Sequence, residues 1–163
     1  MNFQQYSDTY NQKGYKLIHL TDAKQIIQVG ISNGLEDLND WSKPEILQKR
    51  IDNQDFYSFA IQLNTTSNSI IGIITVGIEE EGRLWIEMLS INNKYRRIGL
   101  GRWLIAKIEI IARDLKLRAI FVDLDDDNDI ALKFYKSAGF KNAGVIKEYY
   151  YDSSHAIIMR KNL

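Results

Sequence analysis

The stretch Leu89-Ser90-Ile91-Asn92-Asn93-Lys94-Tyr95-Arg96-Arg97-Ile98-Gly99-Leu100-Gly101-Arg102 decides how the rest of the chain is read. It enters as a strand, passes through a basic loop containing glycine, and leaves as an amphipathic helix. Gly99 and Gly101 let the backbone approach a ligand closely. The first N–H groups of the helix have no intrahelical acceptor, and the positive end of its dipole favours an anion. Arg96, Arg97 and Arg102 add charge around that point. This is the chemistry of a phosphate cradle, although a Gly-x-Gly turn also serves a loop that merely packs tightly. The third glycine of a dinucleotide fingerprint is missing, and no Gly-x-x-x-x-Gly-Lys-Ser/Thr occurs in the chain.

Outward from this segment, residues 99–116 keep helical period, with Leu100, Leu104, Ile108, Ile111 and Leu115 on one face. Residues 56–92 are β-branched and aromatic with alternation, broken by turn clusters at 64–68 and 79–82, and predict three sequential antiparallel strands. Further upstream, residues 15–20 predict a strand. Thr21 or Asp22 can cap a helix carrying Ala23, Ile26, Ile27 and Ile31, with Gly30 or Gly34 to end it. Ser42 and Glu45 form a capping box around Pro44, so a second helix is expected to about Ile51, and with Trp41 these elements make an irregular N-terminal region. Downstream, residues 119–124 predict a buried strand. Asn128 can cap a helix bearing Ile130, Ala131, Phe134 and Ala138, stopped by Gly139. Residues 145–151 and 156–160 predict two closing strands joined near 152–155. With no repeat, low-complexity tract or linker, one domain over residues 1–163 is expected.

Composition narrows the partners. A chain of 163 residues with 45% hydrophobic content can build a core without disulfides or metals. Lys+Arg and Asp+Glu are both 21, so no global field recruits nucleic acid or a membrane surface, and neither is an expected partner. The absence of cysteine removes disulfides, thiolate metal sites and cysteine nucleophiles together. Residues 1–10 have the pattern of neither a signal peptide nor an anchor, and no stretch reaches the roughly 18 apolar residues of a membrane span, so a cytoplasmic protein is expected.

The pattern Arg96-x-x-Gly99-x-Gly101 resembles the Arg/Gln-x-x-Gly-x-Gly/Ala acetyl-CoA signature of the GNAT superfamily of N-acetyltransferases. Residues 89–101 resemble that family's fourth strand and pyrophosphate loop, with a departure at Asn93, where many relatives have proline. Asn128-x-x-Ala131-x-x-Phe134-Tyr135-x-x-x-Gly139-Phe140 is similar to the family's second cofactor motif. The resemblance covers residues from about 70 to the C-terminus. Tyr149-Tyr150-Tyr151-Asp152, followed by Ala156-Ile157-Ile158-Met159-Arg160, looks like the end of ribosomal-protein and other N-terminal alanine acetyltransferases.

The resemblance implies an α/β GNAT fold: a mixed central sheet of about seven strands, splayed near strands four and five and flanked by about four helices. It implies acetyl-CoA as co-substrate, no metal, and direct transfer to a primary amine. Backbone groups of Leu89, Ser90 and Ile91 would hold the pantetheine arm, and Arg96, Arg97, Ile98, Gly99, Leu100, Gly101 and Arg102 the pyrophosphate. Asn128, Ala131, Phe134 and Tyr135 complete the implied cofactor set, with Asn128 on the pantetheine arm and Tyr135 beside the thioester sulfur. Glu87, Tyr149 and Tyr150 would face the acceptor. That acceptor is a protein N-terminal α-amine, a polyamine or an aminoglycoside; a non-catalytic acyl-CoA-binding sensor is a third reading. Homodimers occur in the family, and no residue here marks such a surface.

Single residues bear two readings each. Tyr135, next to Phe134 on a short helix, suits a core position, while its place in the motif implies a proton donor to the departing thiolate. Glu87 lies on the strand face of Leu89 and Ile91, either as a general base acting directly or through water, or as a solvated or salt-bridged strand residue. The acidic run from Asp123 to Asp129 fails the calcium-loop pattern, because Asn128 stands at the glycine position and Phe134 at that of the bidentate glutamate. These acids suit a turn and a helix N-terminus, and some could attract a cationic acceptor. His19 and His155 are isolated and form no metal-ligand spacing.

Overall fold

The structure, a computed structural model, describes residues 14–33, 43–64, 69–150 and 152–163. The expectations placed on residues 1–10, Gly34, Trp41, Ser42, Tyr151 and most of the turn at 64–68 fall outside these residues. The elements run β1 (Tyr15–Leu20), α1 (Ala23–Ser32), α2 (Pro44–Asp52), β2 (Phe56–Leu63), β3 (Ile70–Glu79), β4 (Arg83–Ile91), α3 (Leu100–Asp114), β5 (Ala119–Asp125), α4 (Asp129–Ser137), β6 (Lys141–Ile146) and β7 (Ala156–Asn162). Single 3-10 turns lie at Glu80–Gly82 and Asn93–Tyr95. The strands form one mixed sheet in the order β1-β2-β3-β4-β5-β7-β6. Strands β4 and β5 are parallel, which requires a crossover, and α3 supplies it. Their ladder runs only from Arg83–Ala119 to Ile86–Val122; past that last pair β4 continues to Ile91 and β5 to Asp125. This order and the short ladder agree with the sheet that the resemblance implies, splayed near strands four and five. Among the described residues, no helix is long and apolar enough to cross a membrane.

Two compact units are distinguished: Met1–Gly77 with Met88–Leu104, and Ile78–Glu87 with Ile105–Leu163. In the first, Asp22 caps α1 by accepting the N–H of Gln25 at 2.7 Å. Gly30 does not end this helix. It is buried, and the helix continues to Ser32, where the N–H of Asn33 closes the last turn on the carbonyls of Val29 and Gly30. At α2 the N-cap position is Lys43, with no side-chain cap bond, and Pro44 begins the helix. Gln48 buckles α2 to the start of α1: its Oε1 accepts the Ala23 N–H at 3.0 Å and its Nε2 donates to the Thr21 carbonyl at 3.2 Å. The core here joins Leu20, Ala23, Ile26, Val29, Leu47, Phe56, Ala60, Ile73 and Met88.

In the second unit β5 lies between β4 and β7; Ile120, Val122 and Leu124 are buried, while Phe121, Asp123 and Asp125 share the half-buried opposite face. Lys161 of β7 donates to the Glu109 carboxylate of α3 and, at 2.7 Å, to the Ala138 carbonyl at the end of α4. The strand expected at 145–151 is corrected: β6 occupies Lys141–Ile146, and Tyr149 and Tyr150 lie in the turn that follows. Glu148 at φ +53° takes the chain out of extended conformation. The N–H groups of Tyr149 and Tyr150 then both donate to the Ser154 carbonyl, at 3.0 and 3.3 Å, a convergence that belongs to a tight turn. Every residue of β6 is exposed and one is Gly144, so this edge strand has no burial alternation for periodicity to detect.

Candidate active site

In the first unit, the end of β4 and the turn after it form a backbone cradle. The Asn92 N–H donates to the Ile71 carbonyl at 2.8 Å, and Asn92 Oδ1 accepts the Lys94 N–H at 3.2 Å, folding Asn93–Tyr95 into its single turn. Arg96 Nε donates back to the Ile91 carbonyl at 2.7 Å, so this side chain braces the strand end. Arg97 at φ +64° and Gly99 at φ +92° reverse the backbone in two steps. The Trp103 N–H donates to the Gly99 carbonyl at 3.0 Å, so the amides of Leu100 and Gly101 precede the first helical bond. A Cβ added to Gly99 would meet no heavy atom within 4 Å, so the turn opens on space. A phosphate group fits this geometry: backbone donors at a helix start, two arginines close by, and room above.

The strand before the cradle divides its side chains cleanly. Ser90 is buried, and its Oγ donates to the Asn33 carbonyl at 2.7 Å. Leu89 and Ile91 share the half-buried face with Trp85 and Glu87. At Gly72 an added Cβ would stand 2.6 Å from Ile91 Cδ1 and 3.3 Å from the Ser90 carbonyl oxygen, so a side chain there would displace Ile91 and crowd the end of β4.

In the second unit, Asn128 Oδ1 accepts the Ala131 N–H at 3.0 Å and caps α4, the role its position predicts. Ala131 and Phe134 are half-buried on that helix. Tyr135 is buried at 5% exposure, with edge-to-face contacts to Phe134 at 5.0 Å and to Phe140 at 5.2 Å. Burial, and then the Asp123 carboxylate, push its phenol far above the ordinary tyrosine value, so it keeps its proton throughout the neutral range.

Around Asp123 lies an aromatic and acidic group that sequence reading did not assemble. Asp123 Oδ1 accepts from Trp85 Nε1 at 2.8 Å, and Oδ2 accepts from the Tyr150 hydroxyl at 2.8 Å. Trp85 stacks on Phe121 at 5.4 Å, and Arg160 sits over the other ring at 5.5 Å. The Ser154 hydroxyl donates to Asp125 Oδ2 at 2.9 Å, and the Asp126 N–H to the His155 carbonyl at 3.0 Å. Tyr149 meets Tyr150 edge to face at 5.0 Å and is 48% exposed. Its phenol is raised by burial and by the carboxylates of Asp123, Glu79 and Glu87. A signal for this group was present: Asp123 and Asp125 alternate with Val122 and Leu124 in an apolar strand, and carboxylates so placed require donors. Among the described residues, no three His, Asp or Glu side chains are disposed to hold a metal ion.

Residues 24–140 match the model of the acetyltransferase (GNAT) family, well over half of the chain. The chain belongs to this family. Among GNAT relatives, N-alpha-acetyltransferase RimI of Mycobacterium tuberculosis is 28% identical over 92 residues, 56% of each protein. Alignments with four curated relatives take in 43–62% of those proteins' own lengths. Among solved GNAT structures, Ard1 from Thermoplasma volcanium superposes with a TM-score of 0.75 at 20% identity, over 92% of this chain and 98% of that one. A Bacillus anthracis protein assigned as a streptothricin acetyltransferase, solved in complex with acetyl coenzyme A, superposes at 0.63 with 25% identity, over 71% and 66%.

Proposed function

We propose that this chain is an acetyl-CoA-dependent N-acetyltransferase that transfers the acetyl group directly to a primary amine, the α-amine of a protein N-terminus. The observation that carries the reading is the turn from Asn92 to Gly101, with its left-handed Arg97 and Gly99, its helix-start amides and its open space. Membership of the GNAT family supports it, as does the likeness to a protein that binds acetyl coenzyme A. The N-terminal acceptor is supported by the relative from Mycobacterium tuberculosis, which is named for that activity.

In this reading the backbone of Leu89, Ser90 and Ile91 binds the pantetheine arm. The turn Arg96-Arg97-Ile98-Gly99-Leu100-Gly101-Arg102 binds the pyrophosphate, with Asn128, Ala131 and Phe134 as further contacts. Glu87, directly or through water, takes the proton of the substrate ammonium, because only a neutral amine has the lone pair to attack. The amine nitrogen bonds to the thioester carbonyl carbon and releases its second proton to water, the C–S bond breaks, and the Tyr135 hydroxyl gives its proton to the sulfur, leaving an amide and the free thiol. Burial keeps the Tyr135 phenol protonated before transfer and also makes it a weaker acid, so its proton passes only as negative charge builds on the departing sulfur, and water restores it afterwards. Tyr149 and Tyr150 line the acceptor side.

A second reading, a polyamine or aminoglycoside acceptor, is favoured by one observation: three carboxylates act together on the exposed Tyr149 ring, a field that suits a polycation. The test is acetyl-CoA-dependent thiol release across N-terminal peptides, polyamines, aminoglycosides and a blank. Because the chain has no cysteine, a thiol reagent reports only the product. Release with peptides is expected, and release with polycations alone transfers the assignment to the second reading. A flat panel with acetyl-CoA still bound points to an acceptor outside the panel or to the sensor. In Tyr135→Phe, kcat should fall about 100-fold with acetyl-CoA affinity retained.

A further inference from the structure

Asp123 joins groups that are distant in the chain. Its two oxygens take hydrogen bonds from Trp85, on β4, and from Tyr150, in the turn between β6 and β7, both at 2.8 Å. Each bond has a carboxylate oxygen as acceptor and is therefore among the stronger kind. The Trp85 indole is held from a second side by its stack on Phe121, interplanar angle 8°, so Asp123 anchors Tyr150 to a rigid part of the sheet. Tyr150 in turn presents its ring to Tyr149 at 87°. The turn has no strand ladder of its own at this point. Among its described residues the backbone bonds are internal ones from Tyr149, Tyr150 and Ser153 and one from outside, the Asp126 N–H on the His155 carbonyl, and two residues, Glu148 and Ser153, stand at positive φ. Such a turn depends on side-chain tethers for its place, and the phenol of Tyr150 is one; the Ser154 hydroxyl on Asp125 is another.

We propose that Asp123 is a positioning residue for the acceptor: its carboxylate fixes Tyr150, and through it the exposed Tyr149 ring, as the wall against which the amine substrate packs. This rests on the reading of Tyr149 and Tyr150 as the acceptor side. In this role Asp123 acts through Tyr150 and not on the reacting atoms. Loss of its charge leaves Tyr150 without its charged acceptor and lets the aromatic pair wander, which weakens acceptor binding and leaves acetyl-CoA binding intact.

The experiment is a double-variant cycle of Asp123→Asn and Tyr150→Phe, read by steady-state kinetics and by hydrogen exchange at the amides of Tyr149, Tyr150 and Ser153. Each single variant is expected to raise the acceptor KM about tenfold, the scale of one hydrogen bond to a charged group, with the acetyl-CoA KM held. The double variant should be no worse than the harsher single, because both remove the same bond from the Tyr150 hydroxyl to a charged acceptor. Exchange at the three amides should rise in both variants. A fall in kcat with unchanged acceptor KM in Asp123→Asn, additive losses, or unchanged exchange in Tyr150→Phe would each overturn the proposal and leave the transferase reading standing. A wild-type chain that turns over no acceptor removes that reading first, and the positioning role with it. If Asp123→Asn does not fold, Tyr150→Phe, which deletes one partly buried hydroxyl, carries both measurements alone.

Discussion

Arg97 and Gly99 hold neighbouring left-handed positions in the cradle, at φ +64° and +92°, yet only glycine does so without strain. An arginine there costs about 1–2 kcal/mol, and strain of this kind concentrates at sites where geometry matters more than stability. Arg97→Gly removes that strain and adds about 0.5–1 kcal/mol of unfolded-chain entropy. The urea midpoint should therefore hold or rise, while acetyl-CoA affinity, by titration calorimetry, falls because a positive charge has left the anion site. Arg97→Ala should lose affinity with no gain in stability. Unchanged affinity in both would remove Arg97 from the cofactor set. Arg96 carries a different lesson. The motif places it beside a phosphate, while the fold turns its Nε onto the Ile91 carbonyl, a partner that no spacing in the sequence reveals.

At the scale of the elements, helices α3 and α4 and strand β7 meet at one lysine. Lys161 serves the Glu109 carboxylate and the Ala138 carbonyl, and lies 5.9 Å from the Phe140 ring. The two charged side chains are only 21% and 20% exposed, so water replaces the lost partners poorly. Lys161→Met should lower stability by about 1.5–3 kcal/mol in urea unfolding with the slope unchanged. Adding Glu109→Leu should recover part of that, since the stranded carboxylate is then gone. A loss below about 0.5 kcal/mol would place the pair with ordinary surface ion pairs. Elements also mark where periodicity fails. Helix α3 and strands β2 to β4 stand where the apolar residues put them: α3 and β4 bury one face, and β2 and β3 are buried on both over most of their length. Strand β6 was displaced, because none of its residues is buried and its glycine interrupts any pattern.

For the molecule as a whole, the buried phenols set its response to alkali. Tyr135 keeps its proton in the folded state well above the ordinary value of 10.0, at which the unfolded chain loses it. The folded state then binds more protons than the unfolded one, so stability is intact below pH 10.0 and declines as pH rises past it. Between pH 10 and 11 the decline should be shallower in Tyr135→Phe than in wild type by up to about 1.4 kcal/mol per pH unit, the linkage slope of one group. Urea midpoints across that range measure it, and parallel curves would mean that the Tyr135 hydroxyl is not buried as described.

By itself the sequence determined what acts over a few residues. Asp22 and Asn128 cap their helices, Gly99 and Gly139 sit where the chain turns left-handed, and the order of strands and helices follows from apolar spacing. These depend on local dihedral preference and on which face is apolar, and both are written in neighbouring side chains. Only the tertiary structure decided the partners of Asp123, Ser90 and Lys161. Their hydrogen bonds join residues 27 and 38 positions apart at Asp123, 57 at Ser90 and 52 at Lys161. A carboxylate, hydroxyl or ammonium carries no local mark of its partner. Which donor reaches which acceptor is set by strand order, and by a parallel ladder between β4 and β5 that exists only once a helix has crossed between them.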